Sequence, residues 1–206
     1  VVDVWKVVHE ERASLAAFLE TLTDAQWSTP SLCEGWTVHD VVAHVVDCAR
    51  TDTWHLVKGL VRARFDLDRQ NQLGLEREKG TPPETLQRLR EVVPLTRTPP
   101  VNLATRLVEA FAHGEDVRRP LGVRGEYPAD ALNQGLGYLV GASTKIGGGR
   151  QRVEGLRVEA PDTGFTHGSG PVVTGPASSL LLVLSGRRAG LDELEGEGTE
   201  VLAARA

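Results

Sequence analysis

The sequence predicts a mainly α-helical protein, with an antiparallel four-helix bundle over residues 1–145 and a small α/β appendage over 146–206. Three observations carry this. Apolar residues recur at helical spacing through most of the first 145 positions. Helix-start signatures of the Thr-x-x-Asp/Glu/Gln kind stand before several of those stretches. After Lys145 the composition shifts to short alternating or β-rich runs between Gly, Pro and Asp turns.

The first helix is expected over Asp3–Leu22, where Val4, Val7, Val8, Leu15, Phe18, Leu19 and Leu22 recur among charges. Thr23-Asp-Ala-Gln26 has capping-box form, which predicts a short helical turn to Trp27 before Pro30 interrupts it. The loop Ser31–Trp36 follows, with Gly35 permitting a tight bend. Thr37-Val-His-Asp40 repeats the capping pattern. A helix is predicted from there to about Gly59, burying Val41, Val42, Val45, Val46 and Cys48. Arg62–Gly80 mixes both charge signs, and its Phe65, Leu67, Leu73 and Leu75 are too sparse for an apolar face. It reads as a solvated helix end and a mobile connection. Thr81-Pro-Pro-Glu84 starts the next helix, expected through Arg97, with prolines where first-turn N–H groups need no partner. Thr98-Pro-Pro ends it and opens the helix that carries Glu109, with Leu103, Leu107, Val108, Ala110 and Phe111 as its apolar side. Tyr127-Pro-Ala-Asp-Ala begins a fifth helix to about Thr144. Beyond it, Gly147–Gly149 reads as a linker, Val153–Ala160 and Phe165–Val173 as strands, and Ser178–Leu184 as an apolar helix ended by Gly186.

At 206 residues the chain can bury a sizeable core. A net charge of −5 and a sequence pI near 5.7 give no general attraction to nucleic acid or to an anionic membrane. Uninterrupted apolar runs such as Leu180–Leu184 are far below the ~20 residues of a spanning helix. No basic-then-apolar leader pattern stands before Asp3, so the expectation is a cytoplasmic protein with neither nucleic acid nor membrane as a partner. Cys33 and Cys48 provide no disulfide framework and fit a reducing compartment.

The chemistry centres on Arg106–Gly122, and within it on Glu109 and His113. In a helix, four residues advance about 400° and roughly 6 Å, so both side chains leave the same face. Carboxylate and imidazole are both ligands for zinc-like divalent ions, but two ligands do not complete a site. His44, at the border of the buried side of its helix, is the candidate third. The same spacing also describes a solvated surface pair, and a lone histidine such as His44 also serves as a hydrogen-bonded core residue. Asp40 and His44 form a second pair of this spacing, with Asp40 already explained as a cap partner. Cys48 suits either a ligand or a small apolar core residue. Asp116 or Asp47 suits the second nitrogen of a ligand histidine, or the surface. His167 sits in a Thr-His-Gly-Ser-Gly turn and faces either a pocket or solvent.

Several motifs occur together and in order: Leu32-Cys-Glu-Gly-Trp-Thr-Val-His-Asp-Val-Val-Ala-His44, Glu109-Ala-Phe-Ala-His113-Gly-Glu-Asp116-Val-Arg118, Gly168-Ser-Gly-Pro171, Gly175-Pro-Ala and Ser185-Gly-Arg187. Jointly they resemble the mycothiol-dependent maleylpyruvate isomerase family, which belongs to the DinB-like helical-bundle superfamily. The resemblance implies a DinB-like bundle with a sterol-carrier-like C-terminal part, shorter here than in longer family members. It implies that His44, Glu109 and His113 are ligands of a divalent metal, usually zinc, and that Arg187 lies near the active site with a catalytic role. It also implies mycothiol, or a related low-molecular-weight thiol, as co-substrate and a small electrophile as substrate. Two helices supplying three ligands leave a coordination position open, as a catalytic zinc site needs. A metal-bound thiol loses its proton near neutral pH and becomes a held nucleophile, for isomerisation or for transfer. The other reading is a DinB-like bundle that keeps metal for stability, or binds a ligand without turnover.

Overall fold

The computed structural model describes residues 2–64 and 66–206, with Leu56, Leu60, Leu67 and Asp68 described by backbone alone. The protein is mainly helical with a small sheet. Phe65, part of the sparse apolar pattern noted above, lies outside the described residues.

The first half is built by local capping. Helix α1 runs Val4–Leu19 and α2 runs Asp24–Trp27. The Thr23 side chain accepts from Gln26 N–H while Gln26 Oε1 accepts from Thr23 N–H, so both halves of the predicted capping box are present. Helix α3, Val38–Arg50, starts the same way at Thr37 and Asp40. It stops earlier than predicted. Thr51 turns to extended backbone, and the Asp52 carboxylate accepts from His55 N–H at 2.9 Å to start a separate helix α4, Thr53–Arg62. The expected mobile connection holds a further helix, α5, Leu67–Glu78, capped by Asp66. Helix α6, Pro82–Val92, ends short of Arg97, with the Glu84 carboxylate accepting from both Thr81 N–H and Oγ1. Helix α7, Ala104–Arg118, carries Glu109 and His113, and α8 runs Ala129–Gly141.

After α8 the chain makes a short 3-10 turn, then α9, Arg150–Val153. The expected linker is closely packed: the Gly149 N–H donates to the Leu139 carbonyl at 2.8 Å, and a Cβ on Gly148 would stand 2.1 Å from the Ala142 oxygen. Strands β1, Arg157–Ala160, β2, Phe165–Gly168, and β3, Val172–Thr174, form a sheet in the order β2-β1-β3. β2 is antiparallel and β3 parallel to β1. The Gly168–Pro171 loop passes from one side of β1 to the other so closely that a Cβ on Gly168 would lie 2.2 Å from the Leu156 oxygen. Only glycine fits there, at φ +78°. Helices α10, Ala177–Leu184, and α11, Thr199–Ala203, complete the chain.

Two compact units emerge. One comprises Val1–Val7, Leu103–Ala112 and Glu126–Ala206, the other Val8–Asn102 and His113–Gly125. In the first, α8 packs on α10, whose Leu180–Leu184 are wholly buried. In the second, Leu15 and Leu19 of α1, Trp27, the valines of α3 and Leu89 and Val92 of α6 form the core. Each such side chain contributes roughly 1.5–3 kcal/mol by leaving water. No helix among the described residues is long and apolar enough to cross a membrane.

Candidate metal centre

Within the second unit, the capping box at Thr37 fixes the phase of α3. That phase turns Val38, Val41, Val42 and Val46 into the core and leaves His44 on its margin, 7 % exposed. His113, in the last turns of α7, is 9 % exposed. The two imidazoles meet edge to face, with ring centroids 5.0 Å apart and planes at 86°. Trp36 packs on the other side of His44, with centroids 5.0 Å apart. The structure therefore brings together two of the three residues expected as ligands.

Each histidine has a partner that orients it. His113 Nδ1 lies 2.8 Å from Oδ2 of Asp116, whose side chain is entirely buried. A carboxylate only accepts, so the proton sits on Nδ1 and Nε2 carries the lone pair. Of the two aspartates weighed for this role, Asp116 holds it, and it is not a surface group. Cys33 Sγ donates to the same Oδ2 at 3.1 Å. The loop bearing Cys33 is held by Leu32 N–H to the Asp116 carbonyl and by Ser31 Oγ to the Trp36 carbonyl at 2.8 Å. Cys48, one turn beyond His44 on α3, places Sγ 3.4 Å from His44 Nε2. Neither cysteine is in a disulfide.

Among the described residues, one His, Cys and carboxylate set has donor atoms all within 4.8 Å of one another: Cys33, His113 and Asp116. It shares only His113 with the trio expected from sequence. Glu109 lies one turn before His113 on α7, within the first unit, where its carboxylate pairs with Arg106 at 2.9 Å. Cys33 and Trp36 lie inside the Leu32–His44 motif, but the sequence reading did not single them out as site residues because no periodicity marks them. Their partners lie 83 residues away for Cys33 and across the loop-helix joint for Trp36.

Arg187 also belongs to the first unit. It follows Gly186 at the end of α10, and its guanidinium donates to the Ser185 carbonyl at 2.9 Å. Arg152 supports that turn by donating to the Leu184 carbonyl at 3.2 Å, and its guanidinium lies beside Gly186. Burial, then the charge of Arg187, lowers the pKa of Arg152. His167 stands on β2 and is exposed.

The site is thus a buried imidazole pair on a capped helical framework, with a carboxylate fixing one ring. Residues 8–97 match the family model described as the mycothiol maleylpyruvate isomerase N-terminal domain. Two solved structures share its fold with a TM-score of 0.63, over 96 % of this chain and 92 % of theirs. One is a mycothiol-dependent maleylpyruvate isomerase, 18 % identical, and the other is a histidine-to-alanine mutant of that enzyme, 17 % identical. No curated relative matches the chain in sequence.

Proposed function

We propose that the protein is a metal-dependent enzyme that uses mycothiol, or a related small thiol, to isomerise or conjugate a small electrophile. The observation that carries the reading is the contact between His44 and His113 with Asp116 behind one ring. His44, Glu109 and His113 would hold the divalent ion, with zinc the natural candidate for a two-imidazole, one-carboxylate set. The donor chemistry of these three residues supports the assignment. Both rings are buried and adjacent, Nε2 of His113 is left as a donor, and Glu109 is spaced to share its helix face. In the finer fold reading, α1, α3, α6 and α7 make up a DinB-like four-helix bundle, and the segment from α9 onward is a sterol-carrier-like appendage.

When bound, the ion supplies positive charge that lowers a thiol pKa from about 8.5 to below neutrality, giving a thiolate at working pH. The chain does the rest. Asp116 keeps His113 in one tautomer and one orientation. Trp36 and the valine face of α3 keep water from His44. Arg187, set on its turn by Arg152, is the group we assign to an anionic substrate. Arg106, paired with Glu109, would hold that carboxylate in place for the ion.

Assays that follow loss of the electrophile and of free thiol, with purified, zinc-reconstituted protein and mycothiol, test this reading, because isomerisation returns the thiol and conjugation consumes it. Turnover of an electrophile such as maleylpyruvate that requires both metal and mycothiol is the expected result. Metal retention with no thiol-dependent turnover of any electrophile would replace the enzyme reading with a metal-binding one.

A further inference from the structure

The second unit contains a cavity of about 350 Å³ between the end of α3 and helices α4 and α5, and the proposed chemistry does not use it. It begins at Asp47, three residues and about 4.5 Å of helix beyond His44 on α3. Two close approaches shape it. A Cβ on Gly74 of α5 would stand 2.1 Å from the Asp47 carboxylate, and one on Gly59 of α4 would stand 3.1 Å from the Gln70 amide. Each glycine lets a polar side chain of a neighbouring helix lie flat along it.

Its lining is hydrogen-bonding. Thr51, His55, Arg62, Gln70 and Arg77 face it together with Asp47. Thr51 Oγ1 donates to the Asp47 carbonyl at 2.8 Å, so its lone pairs are what it offers. The Nδ1 of His55 is taken by Asp52 at 2.9 Å, leaving Nε2. Gln70 Oε1 is buried and has no hydrogen-bond partner among the described residues. A buried acceptor without a donor destabilises the fold, and a ligand hydroxyl supplies the missing donor. Asp47 and Glu76 offset Arg62 and Arg77, so the lining has no excess charge to draw a free anion. Mixed donors and acceptors at zero net charge match a neutral, hydroxyl-rich molecule. The size suits one or two six-membered rings.

We propose that this cavity is a polyol subsite that takes the hydroxyl-rich part of the small thiol whose sulfur is directed to the histidine pair. The inference rests on the thiol reading for its placement, but the polyol binding can be measured without sulfur. Gln70 is a positioning residue in it, and Arg62 closes its outer wall.

Calorimetry on the zinc-loaded protein tests it with three probes: mycothiol, N-acetylcysteine and the sulfur-free, uncharged N-acetylglucosaminyl-inositol. Gln70→Leu and Arg62→Ala are each expected to weaken mycothiol binding about tenfold, leaving N-acetylcysteine binding and zinc content at wild-type levels. Wild-type binding of the sulfur-free probe, lost in both variants, supports the subsite even if no thiol turnover is found. The inference is overturned if both variants, checked for wild-type melting, bind mycothiol as tightly as the parent. It is equally overturned if the wild-type protein binds neither mycothiol nor the sulfur-free probe.

Discussion

Nδ1 of His113 and Oδ2 of Asp116 are 2.8 Å apart, in a pair whose carboxylate is fully buried and whose ring is almost so. That contact decides which nitrogen of His113 is available, and so which way the ring can donate. Partners of this kind typically cost 10–100-fold in metal affinity when removed. Asp116→Asn should therefore lower zinc affinity about 10–100-fold. Competition with a chelator of known affinity checks this, and an unchanged constant would remove Asp116 from the account.

Cys33 separates two arrangements of donors. In the proposed one its thiol supports Asp116 and touches no ion, so Cys33→Ala should keep full zinc stoichiometry and lose about 1 kcal/mol of stability. Elemental analysis and denaturant titration read the two effects. Zinc lost from Cys33→Ala and kept in Glu109→Ala would instead assign the ion to Cys33, His113 and Asp116.

Glu11 on α1 and Arg118 on α7 form a buried ion pair in the second unit. Burial raises the Glu11 carboxyl from 4.5 to about 7, against the lowering effect of Arg118. Between those values the folded protein keeps a proton that the unfolded chain has released, so stability falls as pH rises from about 4.5 to about 7. Glu11→Gln should flatten that part of the profile. Melting temperatures of both proteins across the window check it, and equal slopes would contradict it.

The loop crossing from β2 to β3 depends on glycine at 168, with positive φ and a carbonyl 2.2 Å from where a Cβ would stand. Gly168→Ala should destabilise the protein by about 1–3 kcal/mol. Chemical denaturation measures this, and a neutral substitution would mean that the loop takes another path.

What the sequence made legible follows the range of the interactions involved. The caps at Thr23 and Thr37 read correctly because both partners lie within three residues. The break between α3 and α4 did not, because Trp54, Val57 and Val61 continue an apolar period across it and hide the Asp52 cap. Helix α5 has too few apolar residues to announce itself. It is held by contacts such as Gly74 against Asp47, made with a helix more than twenty residues earlier. The same holds for the site. His44 and His113 were marked by their spacing and by the motifs around them, whereas Cys33, Trp36 and the burial of Asp116 depend on how α3 and α7 meet. Gly147–Gly149 looked like a linker because flexibility and close packing call for the same residue.

Zinc content measured after dialysis, on wild-type protein and on His44→Ala and His113→Ala, bears most directly on the claim that these two imidazoles serve one ion. One equivalent in the wild type and loss of retained zinc in each folded variant is the expected result. Full stoichiometry in either folded variant would contradict it.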